Sequence, residues 1–266
     1  MMDNKSSGFL DRLARASANS SRGNHAAALE DLLSCFDYRE ARDRSFDAVR
    51  WSFVLCELRR LGTMYPEARA ALYDRRDKAK RVVLAGEADS AIATDFVMLN
   101  VALDEVQQTV DAYTKLKATV PSDVRTVLFR ASVPSLVASQ HYDEVFNGNP
   151  NISAEVVDRL QQTLVHIERF LASGDVEIAR ELERYDLEDV GAYYEVLVGV
   201  KRSEEAQIVS DAILAFSNSW EAYALLVERA ARAGAEQVAQ KIFDRGMASL
   251  PQDEAVMLRT AGERIF

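Results

Sequence analysis

Apolar residues recur at helical spacing from Phe9 to Ile265, and the elements they predict are helices joined by short turns. A polar, flexible tail over residues 1–8 precedes a first helix that carries Phe9, Leu10, Leu13 and Ala14 on one side. The turn Ser20-Ser21-Arg22-Gly23-Asn24 sends the chain back through Ala26–Phe36, where Ala28, Leu29, Leu32, Leu33 and Phe36 share a face. Tyr38–Ser45 is polar and charged and reads as a linker. The next apolar face holds Val49, Phe53, Val54, Cys56, Leu58 and Leu61, with Trp51 capping it and Gly62-Thr63 ending the helix. Pro66 suits the first turn of the helix that follows. Ile92, Phe96, Leu99 and Leu103 mark a further helix, and Val106, Val110, Tyr113 and Leu116 mark its successor. Pro121-Ser122-Asp123 is a helix start with Ser122 as the cap, and Pro134 should kink or break that helix. Asn147-Gly148-Asn149-Pro150-Asn151 is the strongest turn cluster, so the chain is divided there into an N-terminal helical domain (9–147) and a C-terminal one (153–266).

In the second half, Ser153 caps a long helix through Val156, Leu160, Leu164, Ile167 and Leu171. Ser173-Gly174-Asp175 turns the chain into Val176–Tyr185, and Leu187–Val200 with Ser203–Phe216 forms the next pair. A glycine followed five residues later by alanine recurs at Gly23, Gly86, Gly174 and Gly234. From Ser219 to Pro251 the constrained positions are Tyr223, Leu226, Ala230, Gly234, Ala239, Phe243 and Pro251. That spacing resembles a tetratricopeptide repeat, a helix–turn–helix of about 34 residues. The preceding stretch follows the pattern through Val190, Tyr193, Leu197 and Ala206, but Ser210 stands where Phe243 does and Asn218 where Pro251 does. The resemblance is good in the last unit, fair over residues 155–253 and weak before them. It implies an all-α chain of antiparallel hairpins stacked as an α-solenoid, closed by a terminal capping helix at Asp253–Ile265.

Composition narrows the function. Hydrophobic residues make up 48% of the chain and charged residues 28%, the balance of a chain with a real core. No apolar run approaches the length of a membrane span, and the polar start lacks a signal-peptide core, so a cytoplasmic protein is expected. A net charge of −10 argues against nucleic-acid binding. The basic run Arg75–Arg81 includes Asp77 and reads as an exposed helix face. Residues 151–200 hold eleven acidic and four basic side chains, either a solvated face or an acidic docking surface.

Catalytic and metal signatures are missing from the sequence. There is no phosphate loop, dinucleotide fingerprint or nucleophile elbow, and His25, His141 and His166 stand apart. His166 reads as a partly buried helix position, and Cys56 as an inert buried thiol. No cofactor, metal or catalytic residue is assigned. In the resembled family the inner helices line a concave groove that takes peptides or protein segments. Carried onto this register, the groove residues are Glu221, Ala224, Glu228, Ala231 and Arg232 in the last unit; Glu188, Gly191, Glu195 and Val198 in the one before; and Gln161, Leu164, Glu168 and Leu171 near Thr163. Glutamates dominate, unlike the Lys and Asn of the family's carboxylate clamp, and imply a Lys/Arg-rich protein or peptide as partner. The expected function is a non-enzymatic protein-binding scaffold or adaptor. The alternatives are an immunity-type protein that neutralises a basic toxin, and a helical enzyme.

Overall fold

The computed structural model describes residues 4–38 and 46–265, so most of the expected Tyr38–Ser45 linker lies outside the described residues. The protein is all-helical, with no strand among those residues. It forms two compact units, residues 1–132 and 133–266, which meet inside a helix rather than at the Asn147–Asn151 turn.

In the first unit, α1 (Asn4–Ser21) begins within the expected tail and pairs with α2 (His25–Phe36). The helical stretch that follows opens with α3 (Asp47–Val49), widens into a π-helical segment at Arg50–Val54 and continues as α4 (Leu55–Met64), past Gly62. That extra residue per turn rotates the buried face. Val54, Leu55, Leu58 and Leu61 enter the core with Phe9, Leu32 and Phe36, while Phe53 and Cys56, both expected inside, are exposed. The buried thiol is Cys35, which burial pushes above the usual thiol range. Helix α5 (Pro66–Ala85) starts with proline at its first turn, and α6 (Ser90–Ala102) and α7 (Gln107–Leu116) follow. Arg76 departs from the expected exposed basic face. It is buried and donates to Asp77, Glu105 and Asn100. Helix α8 (Ser122–Ala138) runs through Pro134, which does not end it.

The second unit continues with α9 (Tyr142–Gly148), α10 (Ile152–Ser173), α11 (Val176–Gly199), α12 (Ser203–Phe216), α13 (Trp220–Arg232), α14 (Glu236–Ser249) and α15 (Gln252–Gly262). Ser153 lies inside α10, whose cap residue is Asn151. The two helices expected at 176–185 and 187–200 are one. No glycine or proline separates them, and Asp186 faces inward, held by Arg159 and Thr163, instead of turning the chain.

One turn recurs throughout. Gly23, Gly86, Gly174 and Gly234, the four glycines of the Gly–Ala step, all take positive φ. Each donates its N–H three residues back while the next residue donates five back, for example Gly234 N–H to Ala231 O (2.9 Å) and Ala235 N–H to Ala230 O (2.9 Å). This is the Schellman closure of a helix, and glycine suits its left-handed position. Ala28, Ala179 and Ala239, five residues on, are buried. Asp104, Gln140 and Lys201 make the same closure without glycine (φ 59°, 59° and 62°). Left-handed backbone costs such a residue about 1–2 kcal/mol, of which glycine's looser unfolded chain cancels about 0.5–1. Lys201→Gly is therefore expected to stabilise the protein by about 0.5–1 kcal/mol, read as a higher urea midpoint with an unchanged slope; no rise would mean that the turn is unstrained.

Three contacts in this unit join residues 34 apart: Glu195 with Arg229, Asp211 with Arg245, and the Trp220 N–H with Glu254. Burial follows the register at Val190 and Leu197, enclosed as are Tyr223 and Ala230, but not at Tyr193, which is half-buried where its counterpart Leu226 is enclosed; the neighbouring Tyr194 is the buried ring.

Candidate functional site

Helix α13 is positioned at its start by two bonds. Ser219 accepts from the Ala222 N–H (3.3 Å), and the Trp220 N–H donates to the Glu254 carboxylate (2.9 Å). Its apolar stripe, Tyr223, Leu226, Val227 and Ala230, goes into the core. The opposite side carries Glu221, Ala224, Leu225, Glu228, Ala231 and Arg232 and lines an open depression of about 700 Å³. Trp220 at the start of α13, Glu188 of α11, Ala261 of α15, and Arg264 and Ile265 after it complete the lining. Four of the six charged residues expected in the groove, Glu188, Glu221, Glu228 and Arg232, therefore share one concavity with Ala224 and Ala231, whereas Gly191, Val198, Gln161, Leu164 and Leu171, also expected there, do not line it. Its floor is apolar, and its charge is three carboxylates against two guanidinium groups, less acidic than the sequence implied.

The close approach of α11 and α13 rests on Gly191, where a Cβ would meet Leu225 at 2.9 Å. Glu221 and Glu228 are exposed, and no hydrogen bond or ion pair joins them to another described residue.

The remaining two charged residues expected there lie elsewhere. Glu168 is exposed on the outer half of α10, beside Leu164 and Leu171, and does not reach the depression. His166, expected to be partly buried, is exposed on the same helix. Glu195 is wholly buried beneath α13. Tyr142 donates its hydroxyl to Glu195 Oε1 (2.9 Å), Arg229 donates from Nη1 to Oε2 (3.1 Å), and Arg232 Nε lies 3.5 Å from Oε1. Burial, then the bond to Glu195, push the Tyr142 phenol up to about 12. A buried carboxylate shared among two guanidinium groups and a phenol fixes where α9, α11 and α13 meet. It anchors Arg232 at the edge of the depression, and Arg229 also reaches Glu188 (3.6 Å). Tyr142 and Arg229 were not singled out from the sequence; the signal that could have found Arg229 is its separation of 34 residues from Glu195.

Among the described residues no cluster of three or more His, Cys, Asp or Glu side chains is arranged to hold a metal ion. No helix among them is long and apolar enough to cross a membrane. Comparison of the chain with protein-family models, curated proteins and solved structures finds no match in any of the three.

Proposed function

We propose that this chain is a protein-binding scaffold of the tetratricopeptide type, acting in the cytoplasm, which takes a Lys/Arg-bearing protein segment in the depression beside α13. The observation that carries the reading is the pair Glu221 and Glu228, unpaired carboxylates beside the apolar floor formed by Ala224, Leu225 and Ala231. Apolar contacts would supply affinity, and the glutamates would select and steer a basic partner. Support for the family comes from the register of the last two units, in which Val190, Leu197 and Ala206 stand 33 residues before Tyr223, Ala230 and Ala239, close to the 34 of the repeat.

Reversing the charge of the two exposed glutamates tests the site without disturbing the core. Glu221→Lys with Glu228→Lys should leave the melting temperature within about 2 °C, as surface substitutions do. Affinity purification from the native cell, with mass spectrometry of what co-elutes, should lose basic partners that the unaltered protein retains. Capture by the unaltered protein should also weaken as salt rises. Retention of every partner by the double variant sinks the assignment of the depression. Buried Glu195 is unsuitable for this test, because its replacement would disturb folding.

A further inference from the structure

The second unit holds another cavity, of about 460 Å³, between α11, α12 and α14, and it shares no lining residue with the depression beside α13. Its origin can be read from the sequence register. Ser210 occupies the place that Phe243 takes one unit later, so a serine stands where the pattern calls for a large ring. The space left open is walled by Tyr194, Val238 and Ile242.

Two hydroxyls line this cavity without protein partners. Ser210 is 4% exposed and Tyr194 1% exposed, and neither makes a hydrogen bond to a described residue. Neither oxygen is sealed off: among the described residues the buried side-chain polar atoms with no partner are His25 Nδ1 and Arg229 Nε, so both hydroxyls open onto the cavity, where a ligand or a water can reach them. The mouth carries Lys201 and Lys241, both exposed and unpaired among the described residues. The third cation there, Arg245, is taken by Asp211 at 2.8 Å. The size lies within the range of small-molecule sites, and an apolar interior with a few converging polar groups is their usual make-up.

We infer that this cavity binds a small amphipathic carboxylate, its aliphatic body among Tyr194, Val238 and Ile242 and its anionic head at the mouth with Lys201 and Lys241. The two hydroxyls reach the part of the ligand nearest the head or a water carried in with it. A neutral alcohol of the same length would keep the apolar contact and lose the lysines.

Decanoate and decanol, titrated into the full chain by calorimetry, separate these contributions. Decanoate should bind at least tenfold more tightly than decanol. Lys201→Gln with Lys241→Gln should remove that difference and leave decanol binding unchanged; both lysines are exposed, so the variant is expected to fold. Ser210→Phe should fill the cavity and abolish binding of both compounds, with circular dichroism reporting that the helices persist. Should Ser210→Phe fail to fold, the lysine variant alone decides the matter. The inference is overturned if the unaltered protein takes up no decanoate at millimolar concentration, if decanol binds as tightly as decanoate, or if a folded Ser210→Phe protein binds as before.

Discussion

Glu195→Met is expected to cost about 3 kcal/mol and to lower the melting temperature by roughly 10 °C. The side chain is wholly buried, and its loss takes the main partner from Arg229 and from the Tyr142 hydroxyl, while Arg232, 39% exposed, can turn to water. Arg229 keeps a longer contact to Glu188, which holds the cost to the lower end of the range for breaking a buried pair. Removing the stranded cation as well should recover part of the loss. The double variant Glu195→Met with Arg229→Met should therefore be more stable than Glu195→Met alone, and additive losses would show that the two groups are uncoupled. Alkaline titration gives an independent reading. The Tyr142 phenol is held to about 12 in the folded protein against 10 when unfolded, so the unfolded chain ionises first. Its contribution is complete below pH 10 and is lost as pH rises from there through about 12. The melting temperature of Tyr142→Phe should fall less steeply across that interval than that of the unaltered protein.

In the first unit the corresponding weak point is Asp95. Asp95→Ala should destabilise the protein by about 3 kcal/mol, the lower end of the range for breaking a buried pair, because Arg50 keeps Asp47. Asp95 and Arg50 are both 3% exposed. Arg50 donates to Phe36 O (2.7 Å) and Asp47 (2.8 Å) and lies 3.4 Å from Asp95, which also accepts from Trp51 Nε1 (2.7 Å). These bonds hold Arg50 and Trp51 at the start of the π-helical segment against Asp95 of α6. The protein has two tryptophans, so in a Trp220→Phe background the emission belongs to Trp51. Urea unfolding followed by that emission should show a much lower midpoint for Asp95→Ala. Asp95→Asn should fall between, because its amide oxygen can still accept from Trp51 while the charge is gone. An unchanged midpoint in Asp95→Ala would show that Arg50 needs no buried counter-charge.

Helix class, order and most turns were legible because each depends on a short stretch of chain. The glycines at 23, 86, 174 and 234 announce left-handed closures, whereas Asp104, Gln140 and Lys201 make the same closure with residues that carry no such signal. The Phe53–Cys56 face was misread because one extra residue in a π turn rotates all that follows, and that residue is selected by Arg50 and its partners from other helices. Glu195 shows the same limit within the candidate site. It shares a register position with Glu228, but α9 and α13 supply Tyr142 and Arg229 over the first and no described ion-pair partner meets the second. Periodicity assigns a residue to a face of its own helix. Which neighbour covers that face depends on contacts 34 or 53 residues away.

The spacing of those contacts has a bearing on synthesis. Pairs 34 residues apart are completed in the order in which the chain is made. A nascent chain that has emerged as far as Pro251 already holds both members of the Glu195–Arg229 and Asp211–Arg245 pairs. The start of α13 has to wait for Glu254, three residues later, before its Trp220 N–H is satisfied. The buried cluster at Glu195 can thus close before the segment after Pro251 has emerged, and the depression beside α13 gains its far wall, Ala261 to Ile265, only once that segment has followed.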